Sequence, residues 1–192
     1  MLYTKVKTSE VAQVSLLESF GFRVVDTNVT FEKQTGGERR PARATARVAR
    51  PEDAEAVERI AATSFSFTRF HLDPQVEQAH ANQIKGQWAA NFFKGKRGDA
   101  MVVAELDGRV VGFNQLLHTP DAQVIDLIAV DADARRAGAA GAMMSVGESL
   151  YSGDRIRVGT QVANIPSMRL YEAMGFRVIA SQYVLHAHWI AE

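Results

Sequence analysis

Val124-Ile125-Asp126-Leu127-Ile128-Ala129-Val130, then Asp131 to Ala134, then Arg135-Arg136-Ala137-Gly138-Ala139-Ala140-Gly141-Ala142-Met143-Met144: an apolar run stops and gives way to residues with almost no side chain. The run reads as a buried strand and the Ala- and Met-rich stretch after it as a helix. Between them, small residues let backbone N–H groups converge on something bulky and anionic. That group then rests on the helix N-terminus, where the dipole and the unpaired N–H groups favour phosphate. Arg135 and Arg136 add charge where the loop begins. The loop is a candidate pyrophosphate cradle. The plain alternative is an Ala-rich helix start kept small for close packing.

No Gly-Lys-Ser/Thr ends the loop, so it is not a magnesium-nucleotide loop, and two glycines do not make a G-x-G-x-x-G fingerprint. The spacing Arg135-x-x-Gly138-x-Ala140 resembles the signature of the GNAT acetyltransferases, whose loop binds the pyrophosphate of acetyl-CoA. Ile125 to Val130 resembles the GNAT strand that splays from its neighbour and pairs its backbone with the pantetheine arm. Asn164-x-x-Ser167-x-x-x-Tyr171-x-x-x-Gly175-Phe176 resembles the family's second motif, a helix followed by a Gly-Phe strand. Arg47-Val48-Ala49-Arg50-Pro51-Glu52-Asp53-Ala54 is similar to its opening strand and first helix. The resemblance implies an α/β fold with a mixed, mostly antiparallel sheet flanked by helices. It implies acetyl-CoA as co-substrate, held by Ile128, Val130, Arg135, Arg136, Ala137, Gly138, Ala139, Ala140, Gly141, Ala142 and Asn164.

The bulk properties narrow the class. With 192 residues, 46% hydrophobic and 23% charged, the chain suits one full globular domain and something extra. Lys+Arg and Asp+Glu both number 22, which gives no electrostatic case for nucleic acid or anionic membrane. Zero cysteines exclude disulfides, thiolate metal sites and a cysteine nucleophile. No apolar run approaches the roughly 20 residues of a membrane span. Met1 to Ser15 carries no signal-peptide core, so a cytoplasmic location is expected.

One internal repeat stands out. Leu16-Leu17-Glu18-Ser19-Phe20-Gly21-Phe22-Arg23-Val24-Val25 parallels Leu170-Tyr171-Glu172-Ala173-Met174-Gly175-Phe176-Arg177-Val178-Ile179. Both read as a helix ended by glycine and followed at once by a strand. Residues 1–35 are expected to be a small degenerate GNAT-like module that extends the sheet or offers a dimer surface. Residues 36–42 are expected to be a linker and 43–192 the acetyltransferase domain. Within that domain the patterns predict strand 43–49, helix 52–65, an irregular stretch 66–74 and helix 75–93. A hairpin 100–106/109–117 follows through Asp107-Gly108, a strong turn signal. Strand 122–130, helix 138–151, strand 155–162, helix 165–174 and strand 176–190 complete the expectation.

Without cysteine, the economical chemistry is direct attack of an amine on the thioester carbonyl, with both reactants held together. Tyr171 matches the tyrosine that lies beside the CoA sulfur in many GNAT enzymes. A phenol of pKa about 10 can protonate a departing thiolate. Against that, Met168, Tyr171 and Met174 share one helical stripe, where tyrosine is commonly core. Asn164, two residues before Pro166, reads as an N-cap; the resemblance adds a contact to CoA. Asp126, the acid in the apolar strand, is read on the same face as Val124 and Ile128. It is either the base for the amine proton or the partner of an arginine. Of five histidines only His186 and His188 share a strand face, too few for a metal site, and no metal is expected.

The acceptor side carries Ser64-x-Ser66-Phe67-Thr68-Arg69-Phe70, Asp73-Pro74 and Trp88-Ala89-Ala90-Asn91-Phe92-Phe93-Lys94-Gly95. This pattern resembles GNAT enzymes that N-acetylate an amino group on a nucleotide-linked deoxy sugar. The expected partner is therefore a small-molecule amine acceptor, with Arg69 and Phe70 as candidate contacts. Arg69 can clamp a phosphate or stack a base, while Trp88 and Phe92, one helical turn apart, read as core.

Overall fold

The computed structural model describes residues 1–36 and 42–188, so the expected linker lies almost wholly outside the described residues. The described chain divides into two compact units. Unit 1 comprises Met1–Glu32, Ser66–Gln78 and the chain from Gly159 onward; unit 2 comprises Lys33–Phe65 and Ala79–Val158. These units cut across the boundaries drawn on the sequence, because strand pairing groups the N-terminal residues with the C-terminal strand.

Unit 2 is built around an antiparallel meander. Strand β4 (Ala100–Leu106) turns through Asp107 and Gly108 into β5 (Arg109–His118). Both turn residues have positive φ, 50° and 75°, as a two-residue hairpin requires. β3 (Thr45–Val48) flanks β4, and β6 (Gln123–Val130) flanks β5, all antiparallel. Helices α2 (Ala54–Ser64) and α4 (Gln78–Ala90) supply Val57, Ile60, Ala61 and Ala89 to a core shared with Met101, Val103, Phe113, Leu127 and Ala129. Trp88 and Phe92 pack against that core, as their spacing predicts. Helix α5 (Ala139–Ser149) buries Met143 and Met144. Helix α4 starts later than the expected residue 75. Asp73 organises a turn there, its carboxylate accepting from Gln75 N–H at 2.9 Å and its carbonyl from Val76 N–H at 3.1 Å.

In unit 1, β8 (Arg177–Ala187) lies between β1 (Leu2–Lys7) and β2 (Arg23–Gln34), antiparallel to both. Strand β1 has no counterpart among the expected elements. Its Leu-Tyr-Thr-Lys-Val-Lys sequence buries only Val6, so apolar patterning is nearly silent there. Helix α1 (Val11–Ser19) joins Val14 to Val6 and Leu185. Helix α6 (Ile165–Ala173) follows β7 (Arg155–Gln161), the strand in which the chain passes from unit 2 to unit 1. The stretch expected to be irregular holds a single helical turn, α3 (Arg69–Leu72). The α/β class with mixed, mostly antiparallel strands and flanking helices is the one the motifs imply.

Candidate active site

In unit 2 the decisive stretch folds as strand, loop and helix. The β5–β6 register jumps at Asp126: Gln115 pairs with Leu127 but Leu116 with Ile125. Asp126 is therefore the extra residue of a β-bulge. This corrects the simple alternation that puts Asp126 on the face of Val124 and Ile128. Paired residues share a face, so Ile125 and Leu127 point to opposite sides across the bulge. The parallel ladder from β6 to β7 runs only from Gln123↔Ile156 to Ile125↔Val158. Beyond the bulge, Leu127–Val130, which include Ile128 and Val130, pair with β5 alone among the described residues.

Asp126 itself is engaged. Arg97 donates to it through Nε at 2.7 Å and Nη2 at 2.6 Å, and Gln115 through Nε2 at 2.9 Å. A bidentate Arg–carboxylate pair fixes orientation as well as charge. Arg97 in turn lies 4.7 Å over the Trp88 ring. Of the two readings open for Asp126, the arginine pair is the geometry present. A cavity of about 600 Å³ opens where β6 ends, lined by Arg59, Thr63, Ser64, Arg109, Val110 and Asp131 among others.

The loop then turns on two left-handed residues, Arg136 at φ 65° and Gly138 at φ 81°. Only glycine takes that conformation without a Cβ penalty, so Gly138 is the natural hinge into α5. Ala137 is buried, and its carbonyl accepts from Arg43 N–H at 3.0 Å and Ala44 N–H at 3.2 Å. Ala139 is likewise buried, so these methyls serve packing. Arg135, Arg136 and Gly138 are exposed, while Ala140, Gly141 and Ala142 are half-buried. The first helical bond is Ala142 N–H to Gly138 O, 3.0 Å. The N–H groups ahead of it have no intrahelical acceptor, no side chain caps the helix, and its first turn holds no acid. A Cβ placed on Gly141 would meet nothing within 4 Å. Close packing thus falls on Ala137 and Ala139, while Ala140, Gly141 and Ala142 are only half-buried.

In unit 1, Tyr171 is 3% exposed. Its ring lies between Phe31 and Phe176, each 5.7 Å away by centroid. Burial pushes the phenol pKa up, so the hydroxyl keeps its proton. Asn164 is the N-cap of α6, its Oδ1 accepting from Ser167 N–H at 3.3 Å. The Arg69 guanidinium stacks 3.6 Å over Tyr3 and 4.7 Å over Phe70. Phe70 is buried, with its ring 6.3 Å from that of His186. The structure also joins His186 and His188 to Asp73, whose Oδ2 receives both rings at 2.6 and 2.7 Å. Burial pushes the Asp73 carboxyl up, but hydrogen bonds from His186, Gln75 N–H and His188 outweigh it and hold it below the usual range. Burial pushes His186 down against the pull of Asp73. Sequence reading placed Asp73 only in an acceptor motif, because a partner so far along the chain leaves no local spacing signal.

A model of the acetyltransferase (GNAT) family matches residues 55–176. The chain belongs to the GNAT acetyltransferase family. Its sequence is 33% identical over 139 residues to the spore coat polysaccharide biosynthesis protein SpsD of Bacillus subtilis (strain 168), covering 71% of this chain and 48% of that protein. The match thus spans about half of that relative's length. The GNAT fold is also that of a GCN5-related N-acetyltransferase from Sphaerobacter thermophilus, with TM-score 0.65 at 16% identity over 95% of this chain and 58% of that one. A GCN5-related N-acetyltransferase from Kribbella flavida gives TM-score 0.65 at 15% identity, covering 98% and 69%. Among the described residues, no helix of this GNAT chain is long and apolar enough to cross a membrane.

Proposed function

We propose that this GNAT chain transfers the acetyl group of acetyl-CoA directly to a primary amine. The observation that carries the reading is the uncapped N-terminus of α5 behind the left-handed Gly138, with Arg135 and Arg136 exposed beside it. Free N–H groups, a helix dipole and two guanidinium groups suit a pyrophosphate. Leu127–Val130, paired on one side only, offer backbone groups to an amide-bearing arm, with Ile128 and Val130 beside it. Ala140, Gly141 and Ala142 keep the approach open. Tyr171, protonated and with no hydrogen bond to its hydroxyl among the described residues, is the proton donor to the departing thiolate. The Arg97 pair supports a positioning role for Asp126, with the amine proton leaving to water.

The acceptor we infer is the amino group of a nucleotide-linked amino-deoxy sugar. The pattern of residues 64–95 resembles that of dTDP-fucosamine acetyltransferase, and the SpsD relative bears a name from polysaccharide biosynthesis. Arg69, held flat on Tyr3 beside Phe70, is suited to a phosphate or a base. Release of free CoA, followed across a panel of acceptors, tests the reading. Turnover with nucleotide-linked amino sugars above that with free amino sugars, amino acids and peptide N-termini is expected. Preference for a peptide or amino acid would overturn the acceptor assignment, and no CoA binding at all would overturn the transfer.

A further inference from the structure

Three groups that bind transition metals meet at one point of unit 1. His186 and His188 stand two positions apart on and just beyond β8, and strand alternation sends both rings to one face. Their ring centroids are 6.1 Å apart. Asp73, from the Ser66–Gln78 segment, completes the group, and the three ligand atoms all lie within 4.8 Å of one another.

This point is buried. The side chains of Asp73 and His186 are 1% and 0% exposed, and that of His188 is 19% exposed. Asp73 is ionised, and its ion-pair partners among the described residues are the two imidazoles. Positive charge offsets the desolvation of a buried carboxylate, and a divalent cation seated among these three donors supplies it.

We propose that Asp73, His186 and His188 bind a zinc ion, which ties the Ser66–Gln78 segment to β8. Two imidazole nitrogens and a carboxylate oxygen form a borderline N/O donor set that Zn²⁺ takes at about 2.0–2.1 Å. Tetrahedral donors at those lengths stand about 3.3 Å apart, so the N···O approaches, 2.6 and 2.7 Å in this structure, open by about 0.6–0.7 Å as the ion replaces the shared protons. Protons then sit on His186 Nε2 and His188 Nδ1. His186 Nε2 is buried with no hydrogen-bond partner among the described residues, so no contact there holds the opposite tautomer. The partly exposed His188 leaves the fourth position on its side for water. Acetyl transfer as proposed above needs no metal, and this site stands or falls apart from it.

The test uses the full chain after dialysis against a chelator, titrated with zinc chloride by calorimetry and with Co²⁺ followed by its visible absorption. One Zn²⁺ per chain is expected, with a raised melting temperature. His188→Gln and Asp73→Asn should each weaken binding by about 100-fold or more, beyond the upper end of what outer-shell changes cost. His80→Gln, at an exposed histidine that is not one of the three ligands, should change nothing. The Co²⁺ bands should vanish in His188→Gln, whose half-exposed position spares folding even if Asp73→Asn fails to fold. No stoichiometric zinc in the wild type, or unchanged affinity in His188→Gln, overturns the site.

Discussion

The two copies of the helix–glycine–strand repeat carry the same local instruction and end in different surroundings. Helices α1 and α6 each run 9 residues. Gly21 and Gly175 follow them at φ 88° and 87°. In the first copy Gly21 N–H donates to Glu18 O and Phe22 N–H to Leu17 O, both at 3.1 Å. In the second, Gly175 N–H donates to Glu172 O and Phe176 N–H to Tyr171 O, both at 3.0 Å. Even the strands that follow, β2 and β8, lie side by side. The differences are in what each side chain meets. Leu17 packs partly buried on the small cluster of Val6, Val14 and Leu185, whereas Tyr171 is enclosed by Phe31 and Phe176. Asn164 caps its helix, but Glu10 at the equivalent position does not. Asp26 is buried where the second copy has the exposed Ala180. Backbone hydrogen bonding follows local sequence; chemistry follows the neighbours.

The sharpest way to break the comparison is at Tyr171, which the first copy replaces with Leu17. Tyr171→Phe removes only a hydroxyl and should lower turnover by about 10²–10⁴-fold with the melting temperature nearly unchanged, the range typical of a positioned acid. Leu17→Tyr in the other copy should leave turnover as it was. A loss of stability without loss of rate in Tyr171→Phe would make both copies purely structural.

The second asymmetry is that, among the described residues, only the second copy is preceded by the small-residue loop proposed to hold phosphate. Calorimetry should therefore find one CoA per chain. Gly138→Glu places a Cβ at φ 81° and a negative charge at the proposed phosphate position. It should abolish the stabilisation that CoA gives, which is about 2.7 kcal/mol at a concentration 100 times Kd. Two sites per chain, or an unchanged shift in a folded Gly138→Glu protein, would restore equivalence between the copies.

Asp26 allows a pH test. Neither of its oxygens has a hydrogen-bond partner of good geometry among the described residues. Burial, against the weaker pull of Thr27 N–H, Gln161 and Lys5, raises its pKa from 3.8 to about 6. The folded protein thus holds this proton more tightly than the unfolded chain. Stability from this group is complete below the lower value and is lost as pH rises through the upper one. Asp26→Asn should flatten that loss and gain up to about 3 kcal/mol over the wild type at pH 7. Chemical denaturation at pH 4 and pH 7 measures it; an equal effect at both would show that the carboxylate is solvated.

The smallest effect concerns the caps. Asn164→Ala should cost about 1 kcal/mol, and Glu10→Asn should gain a few tenths to 1 kcal/mol by supplying the cap that the first copy lacks. Thermal melts of the two variants would settle whether the copies can be made alike.

Much of unit 2 was legible because its signals are local. The Asp107-Gly108 hairpin needs only two turn residues, and the small-residue loop announces a helix start from its own composition. What escaped the sequence depends on register. Period-2 counting assumes an unbroken ladder, so it could not see the bulge that turns Asp126 toward Arg97. Nor could it see β1, whose six residues alternate too weakly in polarity to mark a face. Arg69 was singled out for its charge, yet its stacking partner Tyr3 lies at the far N-terminus and shares no pattern with it.

By itself the sequence determined the family motifs, the helix–glycine–strand repeat, the uncapped entry to α5 and the absence of thiol chemistry. Each rests on residue types at short spacing, where backbone sterics and hydrogen bonding are settled within one or two turns. Only tertiary structure decided that Asp126 is held by Arg97, that Tyr171 is enclosed by two phenylalanines and that Asp73 sits between His186 and His188. Those outcomes depend on which distant segments share a strand register or a buried face, and burial rather than residue type then sets each charge state.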